Sequence, residues 1–147
     1  MSENYLEKNV PYAEEAEAGI ISAMFKDREV IGDVVQLIRE GDFYKQENAI
    51  LFKTIVELDE AGQTVDLVTM TNKLRKENLL EKAGGIFYLG QIANAPSTVY
   101  NIKQYAKIVQ EKSTMRQLIQ ISERIRNRCF EDAEPVESIL DDTERLV

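Results

Sequence analysis

The stretch from Val99 to Phe130 has a helical apolar pattern that changes face part-way along. On a helical wheel with Lys103 at 0°, the early apolar side chains lie at roughly 200–300° and the later ones at roughly 0–120°. The early set is Ile102, Tyr105, Ala106 and Val109, and the later set is Met115, Leu118, Ile121, Ile125 and Cys129. Either the helix breaks near Ser113-Thr114, or one helix packs its two halves against different partners. Both alternatives predict a boundary near residue 112.

The chain before this boundary is expected to form a helical globular head. Gly occurs 7 times and Pro 3 times in 147 residues, which is unlike a turn-rich β fold. Apolar spacing predicts helices over about 14–26, 29–39, 46–60, 66–78 and 86–94, with Asp66 as an N-cap. In the second of these helices, the residues expected to face the core are Val30, Val34, Leu37 and Ile38, and Gly41 is expected to end the helix. Ser97 or Thr98 is expected to cap the long helix that follows.

The chain after the boundary is expected to form a helical hairpin. Residues 99–130 carry 7 basic and 2 acidic side chains, whereas residues 131–147 carry 1 basic and 7 acidic side chains. A second amphipathic helix is predicted from Val136, Ile139, Leu140 and Leu146, and antiparallel pairing would place the opposite charges side by side. Because two short helices bury little apolar surface, a second copy is the expected partner. The predicted dimer interface comprises Met115, Leu118, Ile121, Ile125, Cys129, Ile139 and Leu140.

The predicted fold class is therefore all-α, with a compact helical head followed by a helical hairpin. The predicted divisions are a flexible N-terminal arm over 1–11, the head over 12–111 and the hairpin over 112–147. No stretch approaches the roughly 18 consecutive apolar residues of a membrane span. The N-terminus lacks a signal-peptide pattern, and the single Cys129 fits a reducing cytosol.

The residue types needed for most catalytic or metal chemistry are scarce. There is no His, which removes the commonest general base and metal ligand. Gly85 and Gly90 have the spacing of a phosphate-binding loop, but Gln91-Ile92 follows instead of Lys and a hydroxyl residue. Paired carboxylates such as Asp141-Asp142 fall on predicted solvated helix faces. We therefore predict no catalytic, cofactor or metal site, and a carboxylate hydrolase is disfavoured.

A nucleic-acid-binding module is the main alternative, since basic residues are concentrated between 103 and 128. They are Lys103, Lys107, Lys112, Arg116, Arg124, Arg126 and Arg128. These side chains are spread around the helix axis and form no single stripe. The net charge of −8 also opposes contact with phosphates, so direct DNA binding is not expected.

Apolar side chains outside the core stripes are candidate contacts with a partner protein. Ile119 and Phe130 lie off the stripe of their own segment, at roughly 160° and 180° on the wheel. Tyr88 is a further aromatic candidate on the last short helix of the head. Such anchors supply much of the binding energy at protein interfaces.

Four segments together resemble one known family. They are Asp42-Phe43-Tyr44, then Val65-Asp66-Leu67-Val68-Thr69, then Gly84-Gly85 with Tyr88-Leu89, and finally Tyr105-Ala106-Lys107-Ile108-Val109. Their order and spacing resemble the N-terminal domain of bacterial replicative DNA helicases of the DnaB type, over nearly the whole chain. The family usually has a small hydroxyl residue where this chain has Ala13, so the first helix is expected to lack its cap.

The resemblance implies a non-catalytic domain that serves assembly and docking. In this family the hairpins dimerise, and three dimers form a collar above a hexameric motor ring. The collar binds the C-terminal, helicase-binding domain of primase, with Tyr88, Ile119 and Phe130 as candidate contacts here. ATP and Mg²⁺ act in a separate motor domain, for which this chain has no residues. The resemblance further implies a cytoplasmic protein, and it leaves open whether a helicase loader also binds.

Overall fold

The structure, a computed structural model, describes residues 10–96 and 101–146. Their secondary structure consists of seven α-helices and a short 3-10 helix over Glu40–Asp42, with no strand in this part of the chain. The helices are α1 Glu14–Lys26, α2 Arg28–Leu37, α3 Gln46–Glu60, α4 Leu67–Lys76, α5 Gly85–Asn94, α6 Ile102–Glu131 and α7 Val136–Leu146. The all-α prediction is confirmed.

The described chain forms two compact units, and each is considered by itself. Residues 12–96 and 101–113 form the head, and residues 10–11 group with 114–146 in the hairpin unit. The helix α6 is continuous from Ile102 to Glu131, so it does not break at Ser113-Thr114. Of the two alternatives given by the sequence, one helix with two differently packed halves is therefore the correct one.

The head is built around α1, which packs against α2, α3 and α5. Its core is formed by fully buried aliphatic side chains from α1 to α5, among them Ile20, Ile21, Met24, Ile31, Leu51, Ile55, Met70, Leu74 and Leu89. The first half of α6 adds Ile102, Ala106 and Val109 to this core. The stripe predicted for residues 102–109 thus faces the head: Ile102, Ala106 and Val109 are buried in the core, and the half-buried Tyr105 packs against it.

The predicted N-terminal caps of the helices can be compared with the structure. Asp66 accepts a hydrogen bond from Thr69 N at 2.9 Å, while Thr69 Oγ1 accepts one from Asp66 N at 3.0 Å, so the predicted N-cap is confirmed as a capping box. Ala13 provides no side-chain cap for α1, also as expected. The proposed caps Ser97 and Thr98 lie outside the described residues.

The predicted end of α2 was wrong. The helix ends at Leu37, whose side chain is exposed, and Ile38 adopts an extended conformation that buries its own side chain. Burial of Ile38 in the core therefore ends the helix before Gly41, which lies within the 3-10 helix. No helix among the described residues is both long enough and apolar enough to cross a membrane.

Candidate protein-interaction surfaces

The two helices of the hairpin unit are joined by an ionic cluster, beside which lie half-buried apolar side chains. Arg128 on α6 donates to Glu134 Oε2 at 2.8 Å in the connection, and its guanidinium lies 3.0 Å from Asp142 Oδ2 on α7. Because Arg128 contacts α7 two turns after the connection, the two helices run antiparallel. The hydrogen bond from Arg128 lowers the pKa of Glu134, and the same bond raises the pKa of Arg128. The predicted pairing of basic and acidic helices is thus found at this cluster.

The seven predicted dimer residues occupy two positions in the hairpin. Ile121, Ile125 and Ile139 are half-buried, on the sides of α6 and α7 that carry Arg128 and Asp142. Met115, Leu118, Cys129 and Leu140 are exposed. The first group therefore packs within one copy, and the second group is available to another molecule.

The four exposed members lie, together with the exposed Val136, on one side of the hairpin, which we call the outer face: Met115, Leu118, Cys129, Val136 and Leu140. Leu118 and Cys129 lie roughly 60–80° around α6 from Ile121, and Val136 and Leu140 lie roughly 60–100° around α7 from Ile139. Because the helices are antiparallel, both displacements point to the same side. Leu118 is 51% exposed and Leu140 is 57% exposed. Val136 was predicted as part of the amphipathic helix but not of the dimer interface, and its spacing to Leu140 places both side chains on one helix side.

The candidate primase contacts Ile119 and Phe130 lie on another side of α6. Phe130 is 76% exposed, and the Arg126 guanidinium lies 4.8 Å above its ring centroid. Ile119 is half-buried, and Arg116 nearby donates a hydrogen bond to the Pro11 carbonyl at 2.8 Å. The cation–π contact holds the Arg126 side chain over the Phe130 ring, which remains largely exposed. The contact role of both residues stays a prediction.

Tyr88, the third candidate, belongs to the head and is tied into it. Its ring packs against the core, and its hydroxyl donates a hydrogen bond to Asn48 Oδ1. Burial raises the pKa of the Tyr88 hydroxyl, because it disfavours the phenolate. Its contact role also stays a prediction, and only part of its ring is accessible to a partner.

The residues just before Tyr88 are far more exposed and were not among the predicted contacts. Phe87 is 79% exposed and Ile86 is 54% exposed. A helical wheel of α5 would have found Phe87, because it lies roughly 160° from the buried Leu89. The head thus presents an aromatic side chain to solvent at the first turn of α5.

The structure also shows where the residues considered for nucleotide, metal and nucleic-acid binding lie. Gly85 to Asn94 is helical, so Gly85 and Gly90 do not form a phosphate-binding loop, and the residues do not fit a nucleotide. No group of three or more Cys, Asp or Glu side chains in the described chain is arranged to hold a metal ion. Three of the basic side chains considered for nucleic-acid binding, Arg116, Arg126 and Arg128, each have a contact within the hairpin unit.

Comparison with known proteins decides the family. The family model for the DnaB-like helicase N-terminal domain matches residues 9–111. The chain belongs to this family. Replicative DNA helicase DnaB of Geobacillus stearothermophilus is 32% identical over all 147 residues, and replicative DNA helicase DnaC of Bacillus subtilis is 35% identical over 133 residues, 90% of the chain. The chain spans 32% and 29% of the lengths of these two replicative helicases.

Solved structures agree with the DnaB-type fold. The crystal structure of the N-terminal domain of DnaB helicase from Mycobacterium tuberculosis superposes with a TM-score of 0.86 at 29% identity, and covers 94% of this chain and 98% of its own. A DnaB-like replicative helicase, solved in a study of its interactions with primase, superposes with a TM-score of 0.73 at 21% identity. That second match covers 92% of this chain and 32% of the other, and it supports the fold.

Proposed function

We propose that this chain is the non-catalytic N-terminal domain of a replicative DNA helicase, which serves assembly of the hexameric collar and docking of primase. Its membership in the DnaB-like N-terminal domain family supports this function. The domain needs no cofactor of its own, and ATP and Mg²⁺ act in the motor domain of the whole helicase. Since its relatives are bacterial replicative helicases, it works in the cytoplasm.

The observation that carries the assembly role is the outer face of the hairpin. Five apolar or sulfur-containing side chains lie exposed on one side of two short helices. Two copies joined through their outer faces form a four-helix arrangement with a shared apolar interior. Three such dimers complete the collar.

Sedimentation over a concentration range tests this assembly. Leu118→Asp places an unpaired charge in the apolar contact, which costs about 3 kcal/mol and weakens association roughly a hundredfold. The matched control is Val68→Asp, at a head residue that is 69% exposed and outside the outer face. We expect the wild type and Val68→Asp to dimerise and Leu118→Asp to be monomeric with unchanged helix content. A dimer of Leu118→Asp as tight as the wild type would place the interface elsewhere.

Primase docking is proposed on the side of α6 that carries Ile119 and Phe130. The exposed Phe130 ring beneath Arg126 provides an aromatic anchor of the kind that dominates interface energetics. Truncating such an anchor costs about 2 kcal/mol, roughly thirtyfold in affinity. The test is titration of the cognate primase C-terminal domain against wild type, Ile119→Ala and Phe130→Ala. Normal binding by both variants would move the contact away from this side of the hairpin.

A further inference from the structure

The head contains a buried carboxylate that no proposed contact uses. Glu17 on α1 is 1% exposed, and it accepts hydrogen bonds from Tyr44 N at 2.8 Å, Lys45 N at 3.3 Å and Asn48 Nδ2 at 3.0 Å. A buried charge is tolerated when its oxygens are hydrogen-bonded in this way. Glu17 therefore joins α1 to the start of α3.

The contact with Glu17 fixes which way the Asn48 amide points. A carboxylate only accepts hydrogen bonds, so the NH₂ group of Asn48 must face Glu17, and Oδ1 is left to accept from another group. That group is the Tyr88 hydroxyl on α5. The chain of hydrogen bonds runs in one direction, from Tyr88 through Asn48 to Glu17, and it links three helices.

The Tyr88 ring is also confined on its other side by the backbone. Gly84 has φ of +98°, and a Cβ added there would lie 2.7 Å from Tyr88 Cδ2. The hydroxyl is thus held by Asn48 and the ring by Gly84. The first turn of α5, which carries the exposed Ile86 and Phe87, is anchored at the residue that follows them.

We infer that Glu17 and Asn48 are positioning residues for primase docking, because they hold the first turn of α5 in the conformation in which Ile86 and Phe87 project from the head. The inference rests on the proposed function. Tyr88, the head residue already proposed as a contact, is adjacent to this pair, so all three side chains form one continuous docking element. An anchor held in its binding conformation loses little conformational freedom on association.

The wild type and three variants separate a residue that positions the docking element from a residue that contacts primase. Phe87→Ala removes the exposed anchor, and Tyr88→Phe removes only the hydroxyl while it keeps the ring. Val68→Ala is the matched control, since Val68 is 69% exposed on α4. If the first turn of α5 in Tyr88→Phe adopts its binding conformation about one-tenth of the time, affinity for the primase C-terminal domain falls about tenfold. Amide hydrogen exchange over residues 85–88 should accelerate in Tyr88→Phe and stay unchanged in Val68→Ala.

We expect Phe87→Ala and Tyr88→Phe to weaken primase binding at least about fivefold, and Val68→Ala to bind as the wild type does. Asn48→Ala, if it folds, should weaken primase binding as much as Tyr88→Phe does, because both remove the hydrogen bond between Tyr88 and Asn48. If Asn48→Ala does not fold, the Tyr88→Phe variant by itself decides the positioning role. Faster exchange in Tyr88→Phe with wild-type affinity would overturn the positioning role. Wild-type affinity of Phe87→Ala would overturn the docking element. Absence of binding by the wild type would overturn the proposed function, and this inference with it.

Discussion

Replacement of Gly84 by Ala tests how tightly the head confines Tyr88. The left-handed backbone at Gly84 costs an L-residue about 1–2 kcal/mol. The added Cβ would also approach Tyr88 Cδ2, Cβ and Cγ to 2.7, 2.8 and 2.9 Å. These atoms lie at the base of the side chain, so the ring must move and its hydroxyl must leave Asn48. An unsatisfied buried acceptor adds about 1–3 kcal/mol, which gives a loss of about 2–5 kcal/mol in total.

Gly62 provides the control that isolates the backbone contribution. It has φ of +71°, and a Cβ added there would meet no atom within 4 Å. Gly62→Ala should therefore cost only the backbone part, about 1–2 kcal/mol. Urea unfolding followed by circular dichroism gives the free energy of unfolding of both variants. If Gly84→Ala destabilises the chain no more than Gly62→Ala does, Tyr88 is free to move and is not confined by Gly84.

Two further predictions concern a buried hydroxyl and a partly buried ion pair. Ser22 Oγ is buried without a hydrogen-bond partner in the part of the chain that the structure describes, so Ser22→Ala should stabilise the head by about 1 kcal/mol; a lower Tm would contradict this. The pKa of Glu134 is lowered in the folded hairpin, so its pairing with Arg128 stabilises at neutral pH and is lost as the pH falls below the ordinary value of about 4.3. An NMR titration of the Arg128 side-chain N–H should report that loss, and the Glu134→Gln variant should lack the part of the change that comes from Glu134 while Arg128 keeps its contact with Asp142.

The helices could be predicted from the sequence where local signals and core packing agree. The bounds of α1 and α3 were predicted to the residue, because a continuous apolar stripe defines each helix. The end of α2 could not be predicted, because burial of Ile38 outweighs the signal of Gly41.

The candidate sites were predicted less well, because they depend on contacts distant in sequence. The Glu17 carboxylate meets the α3 N-terminus 27–31 residues later, and no spacing rule connects the two. The half-burial of Ile121 and Ile125 depends on how α7 packs, which a wheel of α6 alone does not show. The exposure of Phe87, by contrast, follows from helical periodicity, and a wheel of α5 would have found it.

The central claim is that this domain self-associates and that its dimer, rather than a single copy, presents the surface on which primase docks. The most direct measurement is calorimetric titration of the cognate primase C-terminal domain into the wild-type chain and into monomeric Leu118→Asp. We predict saturable binding to the wild type and binding at least about tenfold weaker to Leu118→Asp, since one hairpin alone is marginal for an interface of about 800 Å² per side. Equal affinity for a dimeric wild type and a monomeric Leu118→Asp would contradict the claim that the docking surface depends on the dimer. No binding to the wild type would contradict the docking function itself.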